Sequence, residues 1–274
     1  MILDPRLPVI DTSRAHPARR YNYWLGGKDN FAADRASGDA IEQIFPGIRT
    51  AAIENRRFLQ RAVRYLAAQG IRQFLDIGTG LPTEDNTHEI AQHLDPTSRI
   101  VYVDNDPLVL VHARALLTSH PAGRTAYLQA DLRRPEQILT DPELTTTLDL
   151  SRPVAVLLVA VLHFLPDHTE ANTTVNALME AVPPGSYLVI SHATTGLLPA
   201  ATTRALTSGE VPGTADFTGR TRAQVARFFD RLTLVDPGVE VISRWRPDPH
   251  PCPPPADQVS MYGGVARKPA RAQP

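Results

Sequence analysis

Between residues 73 and 192, short apolar runs alternate with stretches whose apolar positions recur every three to four residues. The runs Gln73–Ile77, Arg99–Val103, Thr125–Ala130 and Val154–Ala160, with a fifth closing at His192, read as strands, and the stretches between them as helices. Such alternation predicts a parallel, doubly wound α/β sheet with right-handed crossovers. Its five strand ends fall at Asp76, Asp104, Asp131, Ala160 and His192. Ahead of the sheet, helices are expected from about 17 to 25, breaking at Gly26-Gly27, and over 31–44 and 48–69. In the last, Ala52, Leu59, Ala62, Val63 and Leu66 share one face, with Arg56, Arg57, Arg61 and Arg64 mainly outside it. After residue 221 a helix over 222–230 leads to strands at 232–235, 239–242 and 261–266. Residues 246–255 hold six prolines in ten positions, which makes them a stiff loop. Residues 1–18, with Pro5, Pro8 and Pro17, read as an irregular arm.

The chemistry sits where the strands end. Gly78 and Gly80 follow the first strand and permit positive φ and a close approach of main chain to ligand. The pattern turns helical from Pro82, which would set free N–H groups beside the turn. A dinucleotide fingerprint would need a third glycine at Thr83, so a pyrophosphate ligand is disfavoured. Asp76 suits a ligand with an ammonium group. Asp104 stands 24 residues beyond Gly80, where a carboxylate accepts both hydroxyls of a ribose. Asp131 ends the third strand, where it can accept from the exocyclic amine of adenine. Together the three acids point to S-adenosylmethionine rather than a nicotinamide dinucleotide.

Residues 70–195 resemble the class I S-adenosylmethionine-dependent methyltransferases. The resemblance implies a seven-stranded Rossmann-like sheet in the order 3-2-1-4-5-7-6 with the last strand antiparallel. It also implies cofactor binding by Asp76, Gly78, Thr79, Gly80, Asp104, Asn105, Asp131, Leu132 and Ala160. Pro82 departs from the commonest third glycine of that loop. The run from Val154 through His163 to Asp167 looks like the family's fourth strand and the loop that borders sulfonium and substrate. A closer likeness lies in RYNYWLGGKDNF at residues 20–31 followed by Asp34, in LDIGTGLPT and in the C-terminal YGGVARKP. These resemble an actinobacterial S-adenosyl methyltransferase family long filed as a domain of unknown function.

At 274 residues and 42% hydrophobic, the chain can bury a large core, and one catalytic unit is the simpler organisation. Residues 1–70 would form a helical arm or lid, and 71–274 the cofactor-binding domain. With 28 Lys and Arg against 29 Asp and Glu, the chain has no general attraction for nucleic acid or anionic membranes. The first 70 residues carry 11 basic against 7 acidic side chains, but spaced along helices as a solvated face. Cys252 is the only cysteine, which excludes an internal disulfide and fits a reducing cytoplasm. No apolar run approaches the ~18 residues of a membrane span, and no signal sequence is expected. The partner expected is therefore a small-molecule methyl acceptor, and the N-terminal helices offer a surface for a homodimer.

Methyl transfer from a sulfonium is an in-line displacement, so a base is needed only when the nucleophile carries a proton. His163, after the fourth strand, is the first candidate, ahead of His168 and His192. His88 and His93 lack a third ligand, so no metal site is expected. Glycines, aromatics and polar residues crowd together at 20–31, which makes Tyr21, Tyr23, Trp24, Lys28 and Asn30 candidates for a lid over cofactor or acceptor. Packing and helix capping would explain the same residues one at a time. Two other functions use parts of this pattern: a non-catalytic binder of S-adenosylmethionine or S-adenosylhomocysteine, and, against Thr83 and Asp131, a nicotinamide-dependent oxidoreductase.

Overall fold

The computed structural model describes residues 10–116, 118–211, 214 and 217–270. Three helices come first: α1 (Pro17–Trp24), α2 (Ala32–Ile44) and α3 (Ile48–Ala68). The sheet region follows as β1 (Gln73–Ile77), α4 (Thr87–Leu94), β2 (Arg99–Asp104), α5 (Pro107–Leu116), β3 (Arg124–Gln129), α6 (Pro135–Leu139), α7 (Pro142–Thr147), β4 (Ala155–Val159), α8 (His168–Glu180) and β5 (Tyr187–Ala193). It closes with α9 (Ala200–Thr207), α10 (Arg222–Arg227), β6 (Thr233–Leu234), β7 (Glu240–Val241), α11 (Ala256–Val259) and β8 (Met261–Arg267).

The strands run β3-β2-β1-β4-β5-β8-β6, with β7 also on β8; β1 to β5 are parallel and β8 is antiparallel to its neighbours. This is the expected order, but with eight strands instead of seven. Two short pieces, β6 and β7, share the place of the sixth strand, because a turn closed by Gly238 N–H on the Val235 carbonyl interrupts it. The solid apolar runs of β1 and β4 follow from cover on both faces. Leu75, Ile77, Val156 and Leu158 pack with Val175, Leu178 and Phe228 on one side. Phe74, Ala155 and Leu157 pack with Phe58, Leu66 and Trp245 on the other. Among the described residues, no helix is long and apolar enough to cross a membrane.

Three expectations are corrected. The helix after the glycine turn begins at Thr87, not near Pro82. Asn86 holds the intervening turn shut by accepting from Thr83 N–H at 3.2 Å and donating to the Thr83 carbonyl at 2.5 Å, then caps α4 with Glu89. Arg61 does not lie on a solvated face: it is buried and donates to the carbonyls of Trp245 at 3.0 Å and Ile242 at 2.7 Å. It thereby fastens α3 to the turn after β7, and burial lowers its pKa. Helix α10 is also shorter than expected, ending at Arg227.

Candidate functional site

One cavity of about 450 Å³, within the range usual for small-molecule sites, opens at the carboxyl ends of β1 to β4 and runs beneath α1, α2, α3 and α9. Its floor is the glycine turn. Gly78 (φ +75°) and Thr79 both donate to the Val103 carbonyl, so the turn folds back onto β2. A Cβ at Gly78 would come within 2.5 Å of Val161, whereas Gly80 (φ +68°) has nothing within 4 Å of where its Cβ would be. The first glycine is required by packing and the second leaves room for a ligand.

The three acids differ in how they are held. Asp76 is 3% exposed, and its side-chain hydrogen bond comes from Thr87 Oγ1 at 2.7 Å. Burial pushes its carboxyl up to about 6, against the opposing effects of Thr87 and Arg56. A buried carboxylate with so little compensation is suited to a cationic ligand. Asp104 accepts from Gly80 N–H at one oxygen and Asp106 N–H at the other, both at 2.9 Å, and burial raises its pKa. It binds the glycine turn to the end of β2 and still has lone pairs to offer. Asp131 is more open, accepting from Arg133 N–H at 2.9 Å and pairing with the Arg133 guanidinium at 3.3 Å. Asn105, Leu132 and Ala160 line the same wall.

Ala160 has φ +55°, a conformation costly for a residue with a Cβ. It is fixed by Ser191, whose carbonyl and Oγ both accept from Ala160 N–H. Ser191 Oγ donates in turn to Asn55 Oδ1 at 2.5 Å, Asn55 donates to Tyr21 Oη at 2.9 Å, and Tyr21 donates to the Ala52 carbonyl at 2.9 Å. A single chain of hydrogen bonds thus links the tip of β4 to α3 and α1. Arg19 adds a second tie: one edge of its guanidinium, Nε and Nη2, donates to the two carboxylate oxygens of Asp106, at 2.8 and 2.9 Å, in a pair almost wholly removed from water. His16 joins it at 3.3 Å. Burial acts in the other direction, yet these partners hold the Asp106 carboxyl below its ordinary range.

Of the five lid candidates, Tyr21 and Trp24 line the cavity. Tyr23, Lys28 and Asn30 do not. Tyr23 bonds Asp39 at the surface under Arg49, Lys28 is exposed, and Asn30 donates to Asn22 and the Gly27 carbonyl within its own loop. Asp34, fully buried, accepts from His16 N–H and Phe31 N–H and so joins the starts of α1 and α2. The clustering of polar residues at 22–34 largely serves this local scaffold.

The three histidines also separate. His163, on the turn after β4, lines the cavity, and its buried Nδ1 has no hydrogen-bond partner among the described residues. Burial, then His192, Arg220 and Arg20, hold its pKa well below the ordinary range, so the ring is neutral. His192 donates from Nδ1 to the Ala193 carbonyl at 2.7 Å and meets Arg220 at Nε2, also at 2.7 Å; burial brings its pKa to about 3. His168 accepts from Arg220 at 3.2 Å. Arg220, 2% exposed, also donates to the carbonyls of Leu162, Leu165 and Pro166 and so shapes the turn that carries His163. Nothing in the sequence marks Arg220 out, since its partners come from β5 and the loop before α8. Asp106 left a faint signal as a second acid two positions after Asp104.

Beyond the acids the cavity changes character. Trp24, Ile41, Phe45, Ile48, Ala51, Leu198 and Leu206 form its wall, and all belong to a separate apolar cluster. This half is assembled from α1, α2, α3, α9 and the stretch before α9, and no short motif announces it.

The sequence profile of the S-adenosyl methyltransferase family matches residues 5–269. A DUF574 family protein from Streptomyces avermitilis is 45% identical, with 95% of this chain and all of that one covered and a TM-score of 0.89. A candidate methyltransferase from Thermobifida fusca is 44% identical, with 95% and 97% covered and a TM-score of 0.87. An O-methyltransferase family protein from Burkholderia thailandensis, 13% identical over 92% of this chain and 64% of its own with a TM-score of 0.55, shares the fold alone. No curated protein sequence matches. With its glycine turn, its acid-tipped strands and nearly its whole length within the profile, the chain belongs to the S-adenosyl methyltransferase family.

Proposed function

We propose that this chain transfers the methyl group of S-adenosylmethionine to an oxygen or nitrogen of a small molecule held in the apolar half of the cavity. One observation carries the reading: a single cavity has three carboxylates and a glycine turn at one end and carbon walls at the other. When bound, the cofactor supplies an electrophilic methyl group on a positively charged sulfur.

Asp76 would hold the ammonium of the methionine part beside Gly78, Thr79 and Gly80. Asp104 and Asn105 would hold the ribose hydroxyls, Asp131 and Leu132 the adenine, and Ala160 would border the sulfonium. Asp76 fits this role because a positive partner relieves its buried charge. Residues 1–70 would act as an arm on the catalytic unit 71–274, with Tyr21 and Trp24 closing the cavity from above. His163 is the group assigned to take a proton from an acceptor that carries one.

Calorimetry should show S-adenosylmethionine and S-adenosylhomocysteine binding with one site per chain and NAD failing to bind. Incubation of the enzyme with methyl-labelled cofactor and a pooled metabolite extract should then label a small molecule. Tight binding with no labelled product would instead make the protein a binder without chemistry.

A further inference from the structure

Ser191 lies in β5 behind the cavity wall, fully buried, yet it governs the conformation of a residue that is on the wall. Strand β4 pairs with β5 as far as Val159 opposite Ser191, and the next residue, Ala160, leaves the ladder with φ +55°. For a residue with a Cβ that left-handed region is a minor state, about tenfold less populated than the right-handed one when nothing else acts on it. The residue that follows is Val161, which sits directly on the glycine turn: its Cγ2 and Cβ are 2.5 and 2.7 Å from where a Cβ on Gly78 would be. The gap between the tip of β4 and the glycine turn therefore depends on Ala160 staying left-handed.

What keeps it there is a chain of hydrogen bonds that runs one way. Ala160 N–H donates to Ser191 Oγ at 2.9 Å, Ser191 Oγ to Asn55 Oδ1 at 2.5 Å, Asn55 Nδ2 to Tyr21 Oη at 2.9 Å, and Tyr21 Oη to the Ala52 carbonyl at 2.9 Å. Each hydroxyl passes its one proton onward and accepts the next, so the links orient one another. Ser191 and Asn55 are both buried, so water does not readily replace a link that is lost.

We propose that Ser191 and Asn55 are positioning residues for the cofactor: they hold Ala160 left-handed, which keeps Val161 on Gly78 and fixes the shape of the cofactor's place between β4 and the glycine turn. The inference rests on the methyltransferase reading above. Ser191 acts entirely through Ala160, because its own side chain is not part of the cavity wall.

The test is a double-mutant cycle on the full chain, with calorimetry of S-adenosylhomocysteine and thermal unfolding of each variant. In Ser191→Ala the Ala160 N–H keeps only the main-chain carbonyl of residue 191, which it meets at 3.1 Å. Ala160 then leaves the left-handed region most of the time, and apparent affinity falls with the fraction still competent, about tenfold. Glycine enters that region as readily as any other. In the Ala160→Gly background, Ser191→Ala should therefore cost no more than about threefold, and whatever Ala160→Gly does by itself cancels in the comparison. A role confined to stability would lower the melting temperature of Ser191→Ala while leaving affinity within about twofold in both backgrounds. That result, or an equal tenfold loss in both backgrounds, would overturn the proposal. Should Ser191→Ala not fold, Asn55→Ala breaks the next link and is read by the same cycle. Failure of S-adenosylhomocysteine to bind the unmodified protein would instead bring down the methyltransferase reading, so the two failures are distinct.

Discussion

At the strand ends the cavity wall is made of carboxylates, Asp104 and Asp131 fixed by main-chain N–H groups and Asp76 by the Thr87 hydroxyl; under α2 and α9 it is made of side-chain carbon. Asp104 is held by two backbone donors and Gly78 by a turn folded onto β2, so both depend on two neighbouring strand ends. Phe45, Leu198 and Leu206 meet only because three separate segments pack together. The first half is specified locally and is suited to a ligand that many enzymes share. The second is specified by tertiary packing and is free to differ with the acceptor.

The largest expected effect lies at the join between the halves. Arg19→Ala strips the guanidinium from buried Asp106 and leaves it only His16 and the Leu108 N–H, so urea unfolding should show a loss of about 3–5 kcal/mol. A loss below about 1 kcal/mol would mean that the arm and the sheet are energetically independent. Next, Asp104→Ala should weaken S-adenosylhomocysteine by roughly 100-fold, as expected for two hydrogen bonds to a charged group. If Leu206→Trp weakened that ligand as much, the division of the cavity would not hold.

The two glycines sharpen the same contrast. Gly78→Ala should cost about 2–3 kcal/mol, combining left-handed backbone with a clash against Val161, and Gly80→Ala about 1–2 kcal/mol from backbone alone. Thermal unfolding of both variants, ligand-free, tests that order. The smallest effect concerns protons at Asp76. Its folded pKa of about 6 lies above the ordinary 3.8, so its share of ligand-free stability is fully present below 3.8 and is lost as pH rises through 6. A bound ammonium restores the ionised form. Calorimetry in buffers of different ionisation enthalpy should therefore show about one proton released on binding at pH 5 and almost none at pH 7.5. Asp76→Asn should abolish the release; an unchanged release would assign it to another group.

The parallel sheet and its acid-tipped edge could be read in advance because strand periodicity and the acid at each strand tip are local properties, and the strand order came through the family resemblance. The position of α4 could not, since Asn86 closes a turn where helical periodicity continues. Nor could Arg61, whose partners lie more than 180 positions away. Lys28 and Asn30 drew attention by their neighbours in sequence, yet one is exposed and the other secures its own loop. The network from Ala160 through Ser191 and Asn55 to Tyr21 needed coordinates, because each link joins a different element.

The pairing of Arg19 with Asp106 also constrains the order of events during synthesis. The two residues are 87 positions apart, so at ~5–20 residues per second the ribosome adds Asp106 roughly 4–17 s after Arg19. Throughout that interval α1 has neither its counter-ion nor the β2 end on which to settle. Helix α1 is therefore secured only once β2 has been made, and a nascent chain stalled before β2 would carry an unanchored, arginine-rich arm open to proteases and chaperones.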